Sequence, residues 1–510
     1  LLRQLAAGIK QLYAITLEAA IMSTTATTES LKNYVDGRWA ASQSGQTIEV
    51  PNPATGEVLA TYDATSAAET QQIAAAAHAA WPRWRATPPL ARARVLMRLR
   101  NLFEERQEEL ARVLALEHGK AYREAYLEIE RGIENIEVAC GVTTLMQGDL
   151  LEDAAEGIDE YTIRQPLGVS ACLSPFNFPA MIPLWSLPYA LACGNAMIVK
   201  ASPRVPMTAV KMFELIDEAG FPPGVVNLVL GAGEAGEALI AHPAVKTISF
   251  VGSTAVGKTV YRQAAEHGKR VQVAAGAKNF AVVMPDADLD AAVGNLIASA
   301  MGCSGQRCLA LAGVIAVDEV YNELHDRLLD AARAVKVGFA LDEGVEMGPV
   351  ISGDAQQRIE GCIEQGIAQG AKPSLDGRGY SVDGYPNGYW VGPTLLGDCT
   401  PAMDVTVQEI FGPVLCLMRA GSLDEAIGTI NDSPYGNAAA IYTRSGGAAR
   451  QFRYEISAGN IGINVGVAAP MAYFPFGGAK DSFFGSLHAQ GKDAFRFFSD
   501  AKVCVERWPS

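Results

Sequence analysis

No apolar run in the 510 residues is long enough to span a bilayer, so no membrane-spanning helix is expected. Basic excess is missing too. The formal net charge is −15, which argues against nucleic acid and against an anionic membrane surface as partners. Anionic small substrates stay open, because they need only a local cluster of arginines. None of the nine cysteines forms a Cys-x-x-Cys pair of the metal-binding type. An odd count in a long chain favours free thiols and a cytoplasmic compartment, with the mitochondrial matrix as the alternative. Low-complexity blocks and repeats of solenoid or propeller period are absent as well.

Residues 1–22 lack an initiating Met, and Met22 is followed by Ser23-Thr24-Thr25. The expectation is an upstream extension, with 1–28 outside the fold. A transit peptide is the alternative reading, since the stretch holds Arg3 and Lys10 but no serine.

What is present is ample apolar material: 49% of residues, enough for a large core or for two domains with an appendage. Leu96, Leu99, Phe103, Leu110 and Leu114 share one face of a helix expected over 92–118, which Gly119 stops. A second helix is expected from Glu124 to Val142. Short apolar runs then alternate with helical stretches. The runs are 169–173, 196–199, 225–230, 247–251 and 281–284, and the helices are 208–218, 234–241 and 256–266. That alternation implies a parallel sheet with helices on both faces. A second α/β block spans about 280 to 470, and an aromatic tail carrying Phe495, Phe497 and Phe498 is expected to pack on something, often another subunit.

Several segments carry chemistry. Cys308 lies in Gly302-Cys303-Ser304-Gly305-Gln306-Arg307-Cys308-Leu309, a small-residue turn that brings a sulfur and its own N–H to one substrate. Gly231-Ala232-Gly233-Glu234-Ala235-Gly236 matches G-x-G-x-x-G, but no acid follows the next strand. It reads as a helix-entry turn rather than a pyrophosphate cradle. In Phe250-Val251-Gly252-Ser253 a strand ends in a turn that opens a helix, where free N–H groups and the Ser253 hydroxyl can donate to phosphate. An ordinary N-cap is the plainer alternative. Asn177, in Ser174-Pro175-Phe176-Asn177-Phe178-Pro179, offers a neutral N–H₂ to an oxyanion, or is simply a turn residue. Lys200 ends a strand at the sheet edge where ligands bind, unless it is a solvated lysine.

Together these motifs resemble the aldehyde dehydrogenase superfamily over nearly all the chain from residue 31. The resemblance also rests on Glu409-Ile410-Phe411-Gly412-Pro413-Val414 and Pro475-Phe476-Gly477-Gly478. Within it the chain is most similar to the CoA-acylating branch that acts on malonate and methylmalonate semialdehydes. The pointers are Phe176 to Trp185, Arg131-Gly132-Ile133-Glu134-Asn135, Gly276-Ala277-Lys278-Asn279 and Ser482 to His488.

The resemblance implies an α/β fold with a Rossmann-type cofactor domain (29–148 and 167–276) and a catalytic domain (277–475). A small β oligomerisation element (149–166 and 488–510) would join subunits into a homodimer or homotetramer. It makes Cys308 the nucleophile and Asn177 the oxyanion donor, and puts Arg131 and Arg307 on a substrate carboxylate. Ser174, Phe176, Lys200, Pro203, Arg204, Ser253, Ala275, Glu409 and Phe411 become cofactor contacts. NAD is the implied cofactor and CoA the co-substrate. Pro203 stands where the branch has a glutamate for the adenosine ribose, so NADP stays open, with Arg204 beside it. Phe280 replaces a usual histidine.

Hydrolytic relatives carry a glutamate four residues before the lysine matching Lys278. Here that position is Ala274. Water, with a pKa of about 15.7, needs a base. The CoA thiol, near 8.5, does not. The expected reaction is therefore oxidation to a Cys308 thioester, loss of CO₂, and transfer to CoA to give acetyl-CoA or propionyl-CoA. Two alternatives stand: a non-acylating dehydrogenase that releases free acid, and a catalytically silent protein on the same scaffold.

Overall fold

A computed structural model describes residues 29–508. The segment 1–28, expected to stand outside the fold, lies outside the described residues. Among these no helix is long and apolar enough to cross a membrane.

The first sheet has eight strands. Five are parallel and lie in the order Arg270–Ala274, Val245–Val251, Val169–Leu173, Ala196–Ala201, Val226–Leu230. They read as near-continuous apolar runs because helices cover both faces. The strand Val169–Leu173 comes first in the chain, yet it sits between the second and the fourth. Connections therefore leave it in opposite directions, and a crevice opens at the carboxyl ends of Val169–Leu173 and Val245–Val251. The antiparallel strand Phe483–Phe484 closes one edge, and the antiparallel strands Asn33–Val35 and Arg38–Ala40 close the other.

The expected helix over 92–118 is two helices, Pro89–Glu105 and Gln107–His118, broken at Arg106 (φ −109°, ψ 18°). Just past the break Gln107 donates to the Tyr126 carbonyl at 3.1 Å. The apolar stripe runs through both pieces, and Leu96, Leu99, Phe103, Leu110 and Leu114 are all buried. Gly119 ends the second piece at φ 89°, where a Cβ would lie 2.8 Å from Pro349 and Pro53. The next helix is Tyr122–Cys140.

A second sheet of seven strands runs from Asn279–Val283 to Asn460–Ile463, parallel except at the edge strand Lys372–Leu375. A third sheet joins Leu150–Ala155, Ile158–Pro166 and Ser499–Glu506. It exposes Leu150, Leu151, Val503 and Val505. The tail divides differently from the expected 488–510 element. Phe495, Phe497 and Phe498 are buried in the core beneath the first sheet, and only the strand from Ser499 joins the third. Three adjacent large aromatics bury more apolar area inside a core than an exposed strand can offer.

Candidate active site

The segment leading to Cys308 is held in an unusual backbone. After the helix Leu289–Met301, three successive residues are left-handed: Cys303 (φ 48°), Ser304 (φ 55°) and Gly305 (φ 70°). A Cβ on residue 305 would fall 2.0 Å from the Gly412 carbonyl, so only glycine fits. Such a run persists only where its surroundings fix it. Ser304 Oγ donates to the Gly348 carbonyl at 2.7 Å, and the Cys303 N–H donates to both Glu124 oxygens at 2.9 and 2.8 Å. Arg307 pairs with the same carboxylate. The Cys308 carbonyl accepts from Asn279 Nδ2 (2.8 Å) and Asn437 Nδ2 (2.6 Å), each beside the amino end of a strand of the second sheet. One Asn177 N–H donates to the Gln306 carbonyl at 2.9 Å, which brings the amide beside the cysteine segment and leaves its second N–H free.

Two cavities meet at Cys308. One, of about 580 Å³, lies at the crevice of the first sheet. The expected residues Phe176, Asn177, Pro203, Arg204, Ser253, Ala275, Glu409 and Phe411 all line it, with Ser202 and Arg358 in addition. Ser253 stands at the N-cap of the helix Thr254–Glu266, as the plainer alternative expects, but its side chain makes no capping bond. Phe176 and Phe411 meet edge-to-face at 5.9 Å, and Phe411 is itself left-handed (φ 54°). Glu409 accepts from the Ala277 N–H at 2.9 Å, and burial pushes its pKa up. A helix start with an uncommitted hydroxyl, two arginines and an aromatic pair suit an anionic dinucleotide. Glu409 is the one carboxylate among the described residues lining this cleft.

Ser174 and Lys200 are not on its wall. Lys200 donates to the Gly231 carbonyl at 3.2 Å, and burial brings its pKa down to about 8. Gly231–Gly236 is a helix-entry turn, as expected, and its Glu234 accepts from the Ala67 N–H at 3.1 Å.

The other cavity, of about 300 Å³, holds Arg131 and Arg307 together with Phe178, Trp185 and Phe476. Both arginines are already engaged: Arg131 with Glu134 at 2.8 Å and Arg307 with Glu124. Every carboxylate on this wall has a partner, since Glu128 pairs with Lys120 at 2.7 Å. Ala274 ends its strand in the apolar cluster that contains Cys308, Phe178 and Met181.

The Cys308 thiol is part-exposed to these cavities, yet its pKa is pushed up to about 12. Burial contributes most and the Glu409 carboxylate next, against its own N–H, the Leu309 N–H and Arg307. Without a further positive charge it is a protonated thiol at neutral pH, a weaker nucleophile than its residue type suggests.

Sequence reading missed Lys120, Glu124, Glu128, Arg358, Asn437 and the clamp made by Asn279. The signal for the two glutamates was present. They stand four apart on the helix face that also buries Ala125 and Ile129.

Residues 39–504 match the aldehyde dehydrogenase family. The chain is 49% identical over 480 residues to malonate-semialdehyde dehydrogenase 2 of Geobacillus kaustophilus, covering 94% of this chain and 99% of that one. It is 44% identical over 481 residues to malonate-semialdehyde dehydrogenase of Pseudomonas aeruginosa, covering 94% and 97%. Among solved structures, methylmalonate-semialdehyde dehydrogenase of Oceanimonas doudoroffii superposes with a TM-score of 0.93 at 42% identity, over 95% of this chain and 99% of that one. A Sinorhizobium meliloti protein solved with NAD superposes with a TM-score of 0.94 at 43% identity, over 95% and 99%.

Proposed function

This chain belongs to the aldehyde dehydrogenase family, and from that premise we propose that it oxidises malonate or methylmalonate semialdehyde and passes the acyl group to CoA. The observation that carries the acceptor is the alanine at the base position. Ala274 presents a methyl group to the cluster around Cys308, and the carboxylates of both cavities are bonded to N–H groups, lysine or arginine. Each is committed to a donor, and none occupies the position that the missing glutamate would hold. A thiol acceptor ionises without help at a pH seven units lower, on the order of 15.7 against 8.5.

In this reading the Cys308 thiol gives its proton to solvent, the sulfur bonds to the aldehyde carbon, and the carbonyl electron pair moves onto oxygen. The free Asn177 N–H and the Cys308 N–H receive that alkoxide. Phe176, Phe411, Ser253, Arg204, Arg358 and Glu409 would hold the dinucleotide, with Lys200 and Ser174 supporting the strand ends behind them. NAD, when bound, supplies the acceptor for the aldehyde hydrogen as hydride. A thioester then remains on Cys308. The β-carboxylate departs as CO₂ because the thioester carbonyl takes up the electron pair, and a proton replaces it. The CoA thiolate attacks the remaining acyl group and releases Cys308. Arg131 is the more open of the two arginines, and is read as meeting the carboxylate first, with Arg307 behind it.

With Pro203 rather than an acid lining the cleft beside Arg204, and Arg204 half-exposed with only the exposed Asp354 at 4.0 Å, NADP is an alternative acceptor. The exposed apolar residues of the third sheet support a homodimer or homotetramer joined there. Nine free thiols fit a reducing, cytoplasmic setting. The test is product identification from each semialdehyde with NAD, with and without CoA. Acetyl-CoA or propionyl-CoA formed only with CoA supports the reading. Free acid at full rate without CoA overturns it.

A further inference from the structure

A lysine and a glutamate with no exposed side-chain surface lie directly beneath the oxyanion segment. Lys120 Nζ donates to Glu128 Oε2 at 2.7 Å and to the Asn177 carbonyl at 2.6 Å, and lies 4.3 Å from the centre of the Phe178 ring. The other Glu128 oxygen accepts the N–H groups of Ala180 (2.9 Å) and Met181 (3.1 Å), where the short helix Met181–Leu184 begins without a side-chain cap. The pair thus binds the main chain on both sides of Phe178 and Pro179.

One turn earlier on the same helix, Glu124 binds the other half of the site through the Cys303 N–H and Arg307. Two turns later, Asn135 fastens that helix face by accepting from Tyr189 at 3.0 Å and donating to Gln490 at 3.2 Å.

A buried ion pair is a poor stability device, because desolvation offsets most of the attraction. Two carboxylates at i and i+4 also repel unless each has its own partner. Here each does, and the partners are the two segments that carry the oxyanion donors. We propose that Glu124, Glu128 and Lys120 are positioning residues of the oxyanion hole. Glu124 and Glu128 from one helix face, and Lys120 from the connection just before that helix, set the separation between the Asn177 amide and the Cys308 N–H. The inference uses the roles read for Cys308 and Asn177 but not the identity of the aldehyde.

Two reagents separate positioning from general damage. p-Nitrophenyl acetate acylates a cysteine through a tetrahedral oxyanion and releases p-nitrophenolate. Iodoacetamide alkylates the same sulfur by displacing iodide and needs no oxyanion hole. Loss of one oxyanion donor costs about 100-fold or more, so displacing it through Glu128→Gln is expected to slow acylation about tenfold or more. Alkylation of Cys308 stays within about twofold, because thiol and access are unchanged. In an Asn177→Ala background the further effect of Glu128→Gln largely disappears, since both act through one amide.

Lys120→Met with Glu128→Gln removes both charges and leaves neither buried alone, so it serves as a second variant with the same expected split. Acylation and alkylation falling together, neither falling, or penalties that multiply with Asn177→Ala would each overturn the inference. Variants that show the split, together with a wild-type enzyme that makes no NADH from the semialdehydes, would overturn the substrate reading alone.

Discussion

Cys308 is expected to be unreactive until a positive charge arrives beside it. Its pKa, ordinarily about 9, is pushed up to about 12, first by burial and then by Glu409. Three units correspond to about 1000-fold less thiolate at any pH below 9. In the cofactor-free enzyme, alkylation of Cys308 by iodoacetamide, followed site by site by mass spectrometry, should rise about tenfold per pH unit from 7 to 10 without a plateau. Glu409→Gln removes the second cause and should raise the rate about threefold or more at fixed pH. Cationic nicotinamide acts in the same direction, so NAD should raise it too. The same shift has a stability sign. The folded protein keeps a proton that the unfolded chain loses between about pH 9 and 12, so this thiol makes unfolding easier as pH climbs through that window. A plateau in the alkylation rate below pH 9 would refute the reasoning, as would a rate insensitive to Glu409→Gln.

Three further outcomes follow from particular contacts. Ala274→Glu returns a general base to the cluster around Cys308, and CoA-independent acid release should rise about 100-fold; it is checked by NADH turnover without CoA. Arg131→Ala should raise the KM for the carboxylated semialdehydes about 10- to 100-fold while leaving propanal little changed, measured by steady-state kinetics on both. Phe498→Ala opens the core beneath the first sheet and should cost about 3–5 kcal/mol, read from denaturant unfolding.

The first sheet was legible because its strands are buried on both faces and read as continuous apolar runs, such as Val169–Leu173 and Ala196–Ala201. Cys308, Asn177, Phe411 and Glu409 were legible because each stands in a motif of fixed local spacing. Other features depend on long-range pairing. The break at Arg106 has no glycine or proline to announce it, and shows only where Gln107 reaches Tyr126. Phe495, Phe497 and Phe498 looked like a sticky tail because nothing local says that a core gap waits for them. Lys120 and Glu128 stand in none of the motifs. Only the tertiary fold shows that their neighbours are the backbone of Asn177, Ala180 and Met181. The left-handed run at Cys303 and Ser304 was hidden too, since neither residue favours positive φ.

The central claim is that the acyl group on Cys308 goes to a thiol because Ala274 cannot activate water. A single-turnover experiment tests it most directly. Enzyme, NAD and malonate semialdehyde are mixed without CoA, the protein is quenched, and the mass on Cys308 is followed over time. The account predicts one NADH per site, a persistent acetyl adduct on Cys308 after CO₂ loss, and rapid discharge as acetyl-CoA once CoA is added. An adduct that decays to free acid as fast without CoA as with it would contradict the account.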